Sequence, residues 1–480
     1  MYFTSFSFLF LFFPLCTAGY LILWAIQKKL HKEHLRICDI YLILASLAFY
    51  GWALLDGMLY ISIYIIMVYF MGKAVSGREY QKGKRMAVSV SVLVLTGVLF
   101  FCKYYDFVLD NLNAAFETGF DAFYIIVPLG ISFITFSAIS YIVDIYRGSA
   151  KAGNILDTAL YLLFFPKVVS GPIVLWKDFQ PQIRLREVND ARFMDGLNRI
   201  MIGYAKKVIL ADTFGEVVYD IQRLQESGVD LPTAWGCALL YMLQIYYDFS
   251  GYSDIALGLA ELLGFQFKEN FHFPYISASI TEFWRRWHIS LGTWFREYLY
   301  IPLGGNRKGQ YRTLLNLFIV FLVTGIWHGA GWNYIAWGAL NGICMVVERC
   351  IRDKTFYVKT PYFVKWDVTM FIVLISWEIF RMPGLREALS FLKIMFGVTT
   401  FETFNFTYVF YFTPKIIVLM VIAIFGATVL HKKYFLSLAE KMDRSKALFI
   451  IKEVLLFGLM VLAVMFMVNS TYSPFIYFQY

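Results

Sequence analysis

"FLVTGIWHGAGWNYIAWGALNG" occupies residues 321–342. An apolar run enters, glycines and His328 interrupt it, and a second apolar run leaves. Two hydrophobic segments meeting at small residues read as a hairpin within a lipid bilayer. An ionisable ring at that depth is rare, because hydrocarbon penalises it unless it faces protein or a water-filled cavity. The stretch therefore reads as part of a membrane protein and marks a site inside it.

The rest of the chain agrees. Its 480 residues are 59% hydrophobic, 19% aromatic and 16% charged, with a mean hydropathy of +0.60. Soluble domains average about 45–50% apolar and about 25% charged. The excess recurs in runs of roughly 16–22 residues, the length that crosses a hydrocarbon core of about 30 Å. The runs are continuous and do not alternate, which argues against a membrane β-barrel. The expected fold is all-α and polytopic, with about ten to twelve spanning helices plus re-entrant segments. One domain over residues 1–480 is expected, without linker or repeat.

"FSFLFLFFPLCTAGYLILWAI" (6–26) has its basic residues after it and none before. It reads as a first membrane helix and not as a cleaved signal peptide. The six cysteines are scattered, with no metal-binding spacing, and read as small buried hydrophobes. No metal and no bound cofactor are expected. The net charge of +9 reflects loops at a membrane face, with no nucleic-acid partner expected.

Basic clusters stand at 27–36, 77–85, 147–151, 306–312, 352–365 and 431–446. The positive-inside rule places them in the cytoplasm. Two helices fit between the first two clusters, at 38–55 and 57–72. Two more fit before the third, at 86–104 and 123–146, joined by the acidic "DFVLDNLNAAFETGFD" (106–121). This threading puts His328 near the turn of a hairpin that enters from the cytoplasm. Both termini are expected outside a plasma (inner) membrane.

"ITEFWRRWHISLGTWFREYLYIPLGGNRKG" (280–309) gathers four arginines and a histidine among aromatics. Taken as one helix, it puts Arg285, His288, Gly292 and Arg296 on a single face. An amphipathic helix lying in the interface is the plainer alternative for the arginines, with about a third of the weight. It explains His288 less well. Gly325, Gly329 and Gly331 leave space for a chain or ligand beside His328. Imidazole is the side chain suited to taking a proton near neutral pH.

"YYDFSGYSDIALGLAELLG" (246–264) places Asp248, Ser250, Ser253 and Asp254 in apolar surroundings. It lacks the nucleophile elbow of a hydrolase, so hydrogen bonding between helices is the expected role. "FFPKVVSGPIV" (164–174) is interrupted by prolines and a glycine. It reads as a re-entrant element with Lys167 toward a cytoplasmic mouth.

These strings, together with "VPLGISFITFSAISYIVDIYRG" (127–148) and "NFHFPYISAS" (270–279), resemble the membrane-bound O-acyltransferase family in its bacterial alginate O-acetylation branch. The resemblance covers roughly residues 120–345. It implies a ring of helices around a central funnel, with the histidine of the "WHG" string, His328, as catalytic residue. His288 occupies the family's second polar position.

It further implies a cytoplasmic thioester donor, acetyl-CoA or an acyl carrier, and an acyl group delivered to a secreted or envelope polysaccharide. His328 is then the general base. His288, Arg285, Arg286, Trp287, Trp327 and Lys167 are candidates for orienting the donor or stabilising the oxyanion. The tail "SPFIYFQY" (473–480) resembles the aromatic C-terminus of the small membrane partner in teichoic acid D-alanylation. That likeness makes Tyr480 an acyl-relay candidate, serving an extracytoplasmic esterase-like acetyltransferase. An interfacial aromatic anchor is its plainer reading.

Three other functions are compatible with parts of this pattern. D-alanyl transfer needs only a different donor. A lipid or glycan transporter fits broken helices but calls for paired repeats, which the sequence lacks. A structural subunit of an export complex gives no reason for two tryptophan–histidine strings.

Overall fold

The computed structural model describes residues 2–30, 36–78, 80–121, 127–223, 228–401, 406–432, 437, 442 and 445–469. Among them there are helices and no strand, and the chain is a multi-pass membrane protein. Two compact units are distinguished, Met1–Ile200 with Ile255–Lys268 and Met201–Asp254 with Glu269–Tyr480.

The first unit contains α1 (Phe13–Lys29), α2 (Ile37–Ala53), α3 (Leu55–Ser76), α4 (Gln81–Phe116), α5 (Ile131–Arg147), α6 (Ile155–Leu163) and α7 (Trp176–Leu185). After them comes α8 (Asp190–Tyr204). The expected link after α4 is largely helical. Asp106–Phe116 extend α4 to 36 residues, about 54 Å at 1.5 Å per residue. Its carboxylates and amides recur at helical spacing, which continues the helix past the apolar run. The helix expected at 123–146 begins at Ile131, and residues 122–126 lie outside those described.

An ionic knot holds this unit. Asp39, in the first turn of α2, accepts from Arg36 Nε at 2.8 Å and from Arg186 Nη2 at 2.5 Å. Arg36 also donates to Asn154 Oδ1 at 2.8 Å and to Asp157 Oδ1 at 2.5 Å. Asn154 and Asp157 cap α6 reciprocally, a capping box that satisfies two helix-start amides. Arg186 Nε donates to the Tyr20 hydroxyl, which donates to the Leu263 carbonyl. Arg36, placed by sequence in a cytoplasmic cluster, is thus spent inside the fold.

The second unit contains α9 (Leu231–Leu262) through Asp254, α10 (Ile280–Arg286), α11 (Ile289–Phe295), α12 (Gln310–His328), α13 (Trp332–Ile351), α14 (Tyr362–Arg381), α15 (Leu385–Met395), α16 (Pro414–Thr428) and α17 (Lys446–Asn469). The hairpin read from the opening stretch is α12–α13. Gly325 and Gly338 let its helices touch. A methyl on Gly338 would stand 3.0 Å from the Gly325 Cα and 2.6 Å from the Phe321 carbonyl oxygen. Small residues at such crossings let helix backbones approach within lipid.

Among the described residues, six helices are both long and apolar enough to cross a bilayer, and α2 and α16 are shorter apolar helices. The expected ten to twelve counted further segments such as α9 and α14. Those carry Asp248 and Asp254, and Glu378 and Arg381, which are spent on partners in the protein.

Two outcomes follow. Asp39→Ala leaves two buried guanidiniums short of a partner, and breaking such a pair costs about 3–5 kcal/mol. Thermal denaturation in detergent should show a lowered midpoint and a poor yield. Gly338→Leu overpacks the hairpin crossing, at about 1–3 kcal/mol, and should lower the same midpoint by several degrees.

Candidate active site

The charged string at 280–300 does not form the single helix that its spacing allows. α10 starts on Ser279, whose hydroxyl accepts from the Glu282 amide, and ends at Arg286. Trp287 is extended, and His288 takes φ 47°, ψ 53° before α11 begins. A non-glycine residue in the left-handed region is uncommon. Pairing with a distant segment holds it there. The His272 amide donates to the Arg286 carbonyl, and the Ile289 amide donates to the Asn270 carbonyl, both at 2.9 Å.

The break sends the arginines and the histidine to different places. Arg285, Arg296 and Arg307 line one cavity of about 670 Å³, with Trp284, Gly292 and Thr293. Three guanidiniums around one space suit an anionic group, because the planar fork matches phosphate or carboxylate oxygens. Arg286 is not among them. It pairs with Glu282 at 2.9 Å and donates to the His272 carbonyl, so it braces the break.

His288 turns inward instead and is 2% exposed. Its Nδ1 lies 3.2 Å from the Asn270 side-chain oxygen, and the Phe249 ring stands edge-on at 4.6 Å. Burial pushes the imidazole down to about 3, so the ring is neutral at physiological pH.

His328 is the last residue of α12 and is buried. Aromatic rings form its walls, with Trp327 at 4.8 Å, Trp337 at 5.1 Å and Phe380 at 5.1 Å. Asn333 holds the Phe380 wall by donating its amide to the Phe380 and Met382 carbonyls. The glycines beside His328 make room for chain, not for a ligand. Gly325 faces α13, Gly329 faces the Tyr334 ring and Gly331 faces the Asn333 side chain.

The two tryptophan–histidine strings meet in one aromatic cluster. Trp337 lies 6.1 Å from Trp377, and Trp377 lies 4.8 Å from Trp287, the neighbour of His288. Trp284 contacts Trp337 at 5.5 Å while lining the arginine cavity. One indole is thus a wall of the cavity and a neighbour of the ring that packs on His328.

Lys167 belongs to the first unit. Its ammonium is buried, donates to Ser137 and sits 4.3 Å from the Tyr161 ring centroid, so it points inward and not to a mouth. The Ser137 hydroxyl and the Tyr161 ring face are the polar partners that receive it there. Tyr480 lies outside the described residues.

The acidic string of α9 is ion-paired. Asp248 meets Lys207 at 2.7 Å, Asp254 meets Lys206 at 2.6 Å, and Lys207 also binds Asp212. These lysines sit where the helix widens into a π-helical turn, Ala205–Asp212. Sequence reading did not single out Lys206, Lys207, Asn270, Phe380 or the buried pair Glu378–Arg381 at 2.7 Å. The signal was available in part. "AKK" matches the two carboxylates of "DFSGYSD" in charge, and Glu378 and Arg381 stand three apart on α14.

Residues 47–380 match the membrane-bound O-acyltransferase family. The chain is 40% identical over 410 residues to a probable alginate O-acetylase AlgI of Pseudomonas aeruginosa, covering 84% of this chain and 76% of that protein. It is 34% identical over 424 residues to a peptidoglycan O-acetyltransferase of Helicobacter pylori, covering 82% and 79%. A teichoic acid D-alanyltransferase of Streptococcus thermophilus is 34% identical over 241 residues, covering 47% and 58%. With both histidine strings inside the matched region, this chain belongs to the membrane-bound O-acyltransferase family and is an O-acyltransferase.

Proposed function

We propose that this transferase takes an acetyl group from cytoplasmic acetyl-CoA and passes it outward for O-acetylation of a secreted or envelope polysaccharide of the alginate type. The observation that carries this reading is the shared wall. Trp284 lines a cavity with three arginines and packs on Trp337, which packs on His328. A phosphate-bearing thioester fits that arrangement, its anionic end on Arg285, Arg296 and Arg307 and its acyl end toward the aromatic cluster. His328 acts as general base on the attacking hydroxyl, and the thiol of the donor leaves.

The relatives named for alginate and peptidoglycan both carry glycan acceptors in their names, which supports a polysaccharide acceptor here. An extracytoplasmic esterase-like acetyltransferase would complete the transfer, with Tyr480 as the relay candidate and the terminus outside. D-alanyl transfer is the alternative. Its named relatives match about half of this chain, and donor competition separates the two.

A positioned general base contributes about 10²–10⁴-fold. His328→Ala should therefore lower acetyl content of the polysaccharide by that order, at unchanged protein level. Full acetylation in that variant would overturn the assignment, and a transporter would leave donor turnover unchanged. Arg285→Ala and Arg296→Ala each remove a charge-assisted bond of about 1.5–3 kcal/mol. Each should raise the KM for acetyl-CoA about tenfold or more with a smaller change in kcat, measured with purified protein in bilayer discs.

A further inference from the structure

A second cavity of the second unit shares no lining residue with that of the arginines. It is a wedge of about 330 Å³ between α13 and α14, within the range of about 300–1,000 Å³ typical of ligand sites. α13 lends it Ile343, Val347 and Ile351, and α14 lends Val364, Val368 and Ile372. Each set repeats every four residues, so each is one stripe of its helix. Ile343, Val347 and Val368 are about half exposed, so the wedge opens at the protein surface.

Polar groups gather at one end. Tyr357 and Thr360 come from the segment joining the two helices, and Lys365 from the first turn of α14. The Lys365 ammonium donates back to the Val358 carbonyl at 3.4 Å and lies 4.8 Å from the Tyr357 ring centroid. Glu348 is the carboxylate of the lining, and it accepts from the Thr281 amide at 3.2 Å. The joining segment has the character of a membrane interface. Phe356, Val358, Tyr362 and Phe363 are exposed beside Arg352, Lys354 and Lys359, and rings among long cations belong at headgroup level. Residues 349–365 hold five basic residues and one carboxylate, Asp353. Asp353 reaches Arg352, and no carboxylate pairs with Lys359 or Lys365 among the described residues.

An apolar wedge with a cationic rim suits an amphiphile with a negative head. We propose that the wedge binds an anionic glycerophospholipid, with one acyl chain between α13 and α14 and the phosphate beside Lys365. Free phosphate would leave the apolar walls without an occupant, and a neutral lipid would leave the cations without a counter-ion. Lipid binding here does not depend on what the arginine cavity takes.

The probe is phosphatidylglycerol with a photoreactive diazirine in one acyl chain, present as a minor component of phosphatidylcholine discs that hold the full-length protein. After irradiation, peptide mass spectrometry should find label on residues 343–351 and 364–372. Unlabelled phosphatidylglycerol should compete it away, and phosphatidylcholine should not. Val347→Trp fills the wedge from a half-exposed position, so label on both peptides should fall to background. Label on the lipid-facing helix α17 should stay unchanged and serves as the control. Lys365→Gln should lower the preference for phosphatidylglycerol over phosphatidylcholine about fivefold, the effect of one cation beside an anionic headgroup.

Equal competition by phosphatidylcholine would reduce the occupant to ordinary surrounding lipid and overturn the proposal. So would wild-type labelling of both peptides in Val347→Trp, since the chain would then lie outside the wedge. Competition by palmitoyl-CoA and not by phosphatidylglycerol would give the wedge to an acyl donor instead. If Val347→Trp fails to fold, Val368→Trp fills the wedge from the opposite wall and decides by the same two outcomes.

Discussion

The site depends on one residue held with left-handed backbone. His288 at φ 47° separates two short helices that would otherwise be one. Such a conformation costs on the order of 1–3 kcal/mol and persists only where neighbours over-determine it. Here the neighbours are the backbone bonds from His272 and Ile289, the Arg286–Glu282 brace and the Asn270 amide. A continuous helix would put the imidazole on the arginine face. The break instead gives the arginines a polar cavity and gives the histidine a dry, neutral setting.

Around that break the protein is built from rings. Trp284, Trp287, Trp337, Trp377 and Phe380 touch one another at centroid separations between 4.8 and 6.1 Å. Aromatic pairs add about 0.5–1.5 kcal/mol each beyond burial, and their side chains have few rotamers. A cluster of this kind excludes water while keeping its shape. That shape matters for acyl transfer, where a misplacement of about 1 Å can cost about a hundredfold in rate. The hairpin glycines serve the same end. Without the Gly325–Gly338 crossing, Trp337 on α13 would stand farther from His328 at the end of α12.

The opening stretch was legible because its physics is local. Apolar length, small residues at a turn and one imidazole specify a hairpin with a buried ring, and α12–α13 has that form. The break at His288 was not legible. Helical spacing runs straight through "RRWHISLG", and the reason for the break lies with Asn270, 18 residues away. Lys167 was misplaced for a related reason. Sequence gives its charge, but only the packing of Ser137 and Tyr161 gives its direction.

Charge placement shows why such errors are systematic in a membrane chain. Positive-inside counting treats every lysine and arginine as a report on a loop. Arg36, Lys206, Lys207 and Arg381 report on something else, since each is consumed by a carboxylate within the protein. A buried cation without its partner would be costly in hydrocarbon, and each of these four has an acid three to five residues away or on a facing helix. Arg36 with Asp39, Lys207 with Asp212 and Arg381 with Glu378 follow the local form. Arg285, Arg296 and Arg307 do not pair in this way, and they surround the one polar cavity described above. The cations with local acids hold the fold together, while the three arginines of the cavity bring their charge to an open space, which is what the proposed donor site requires.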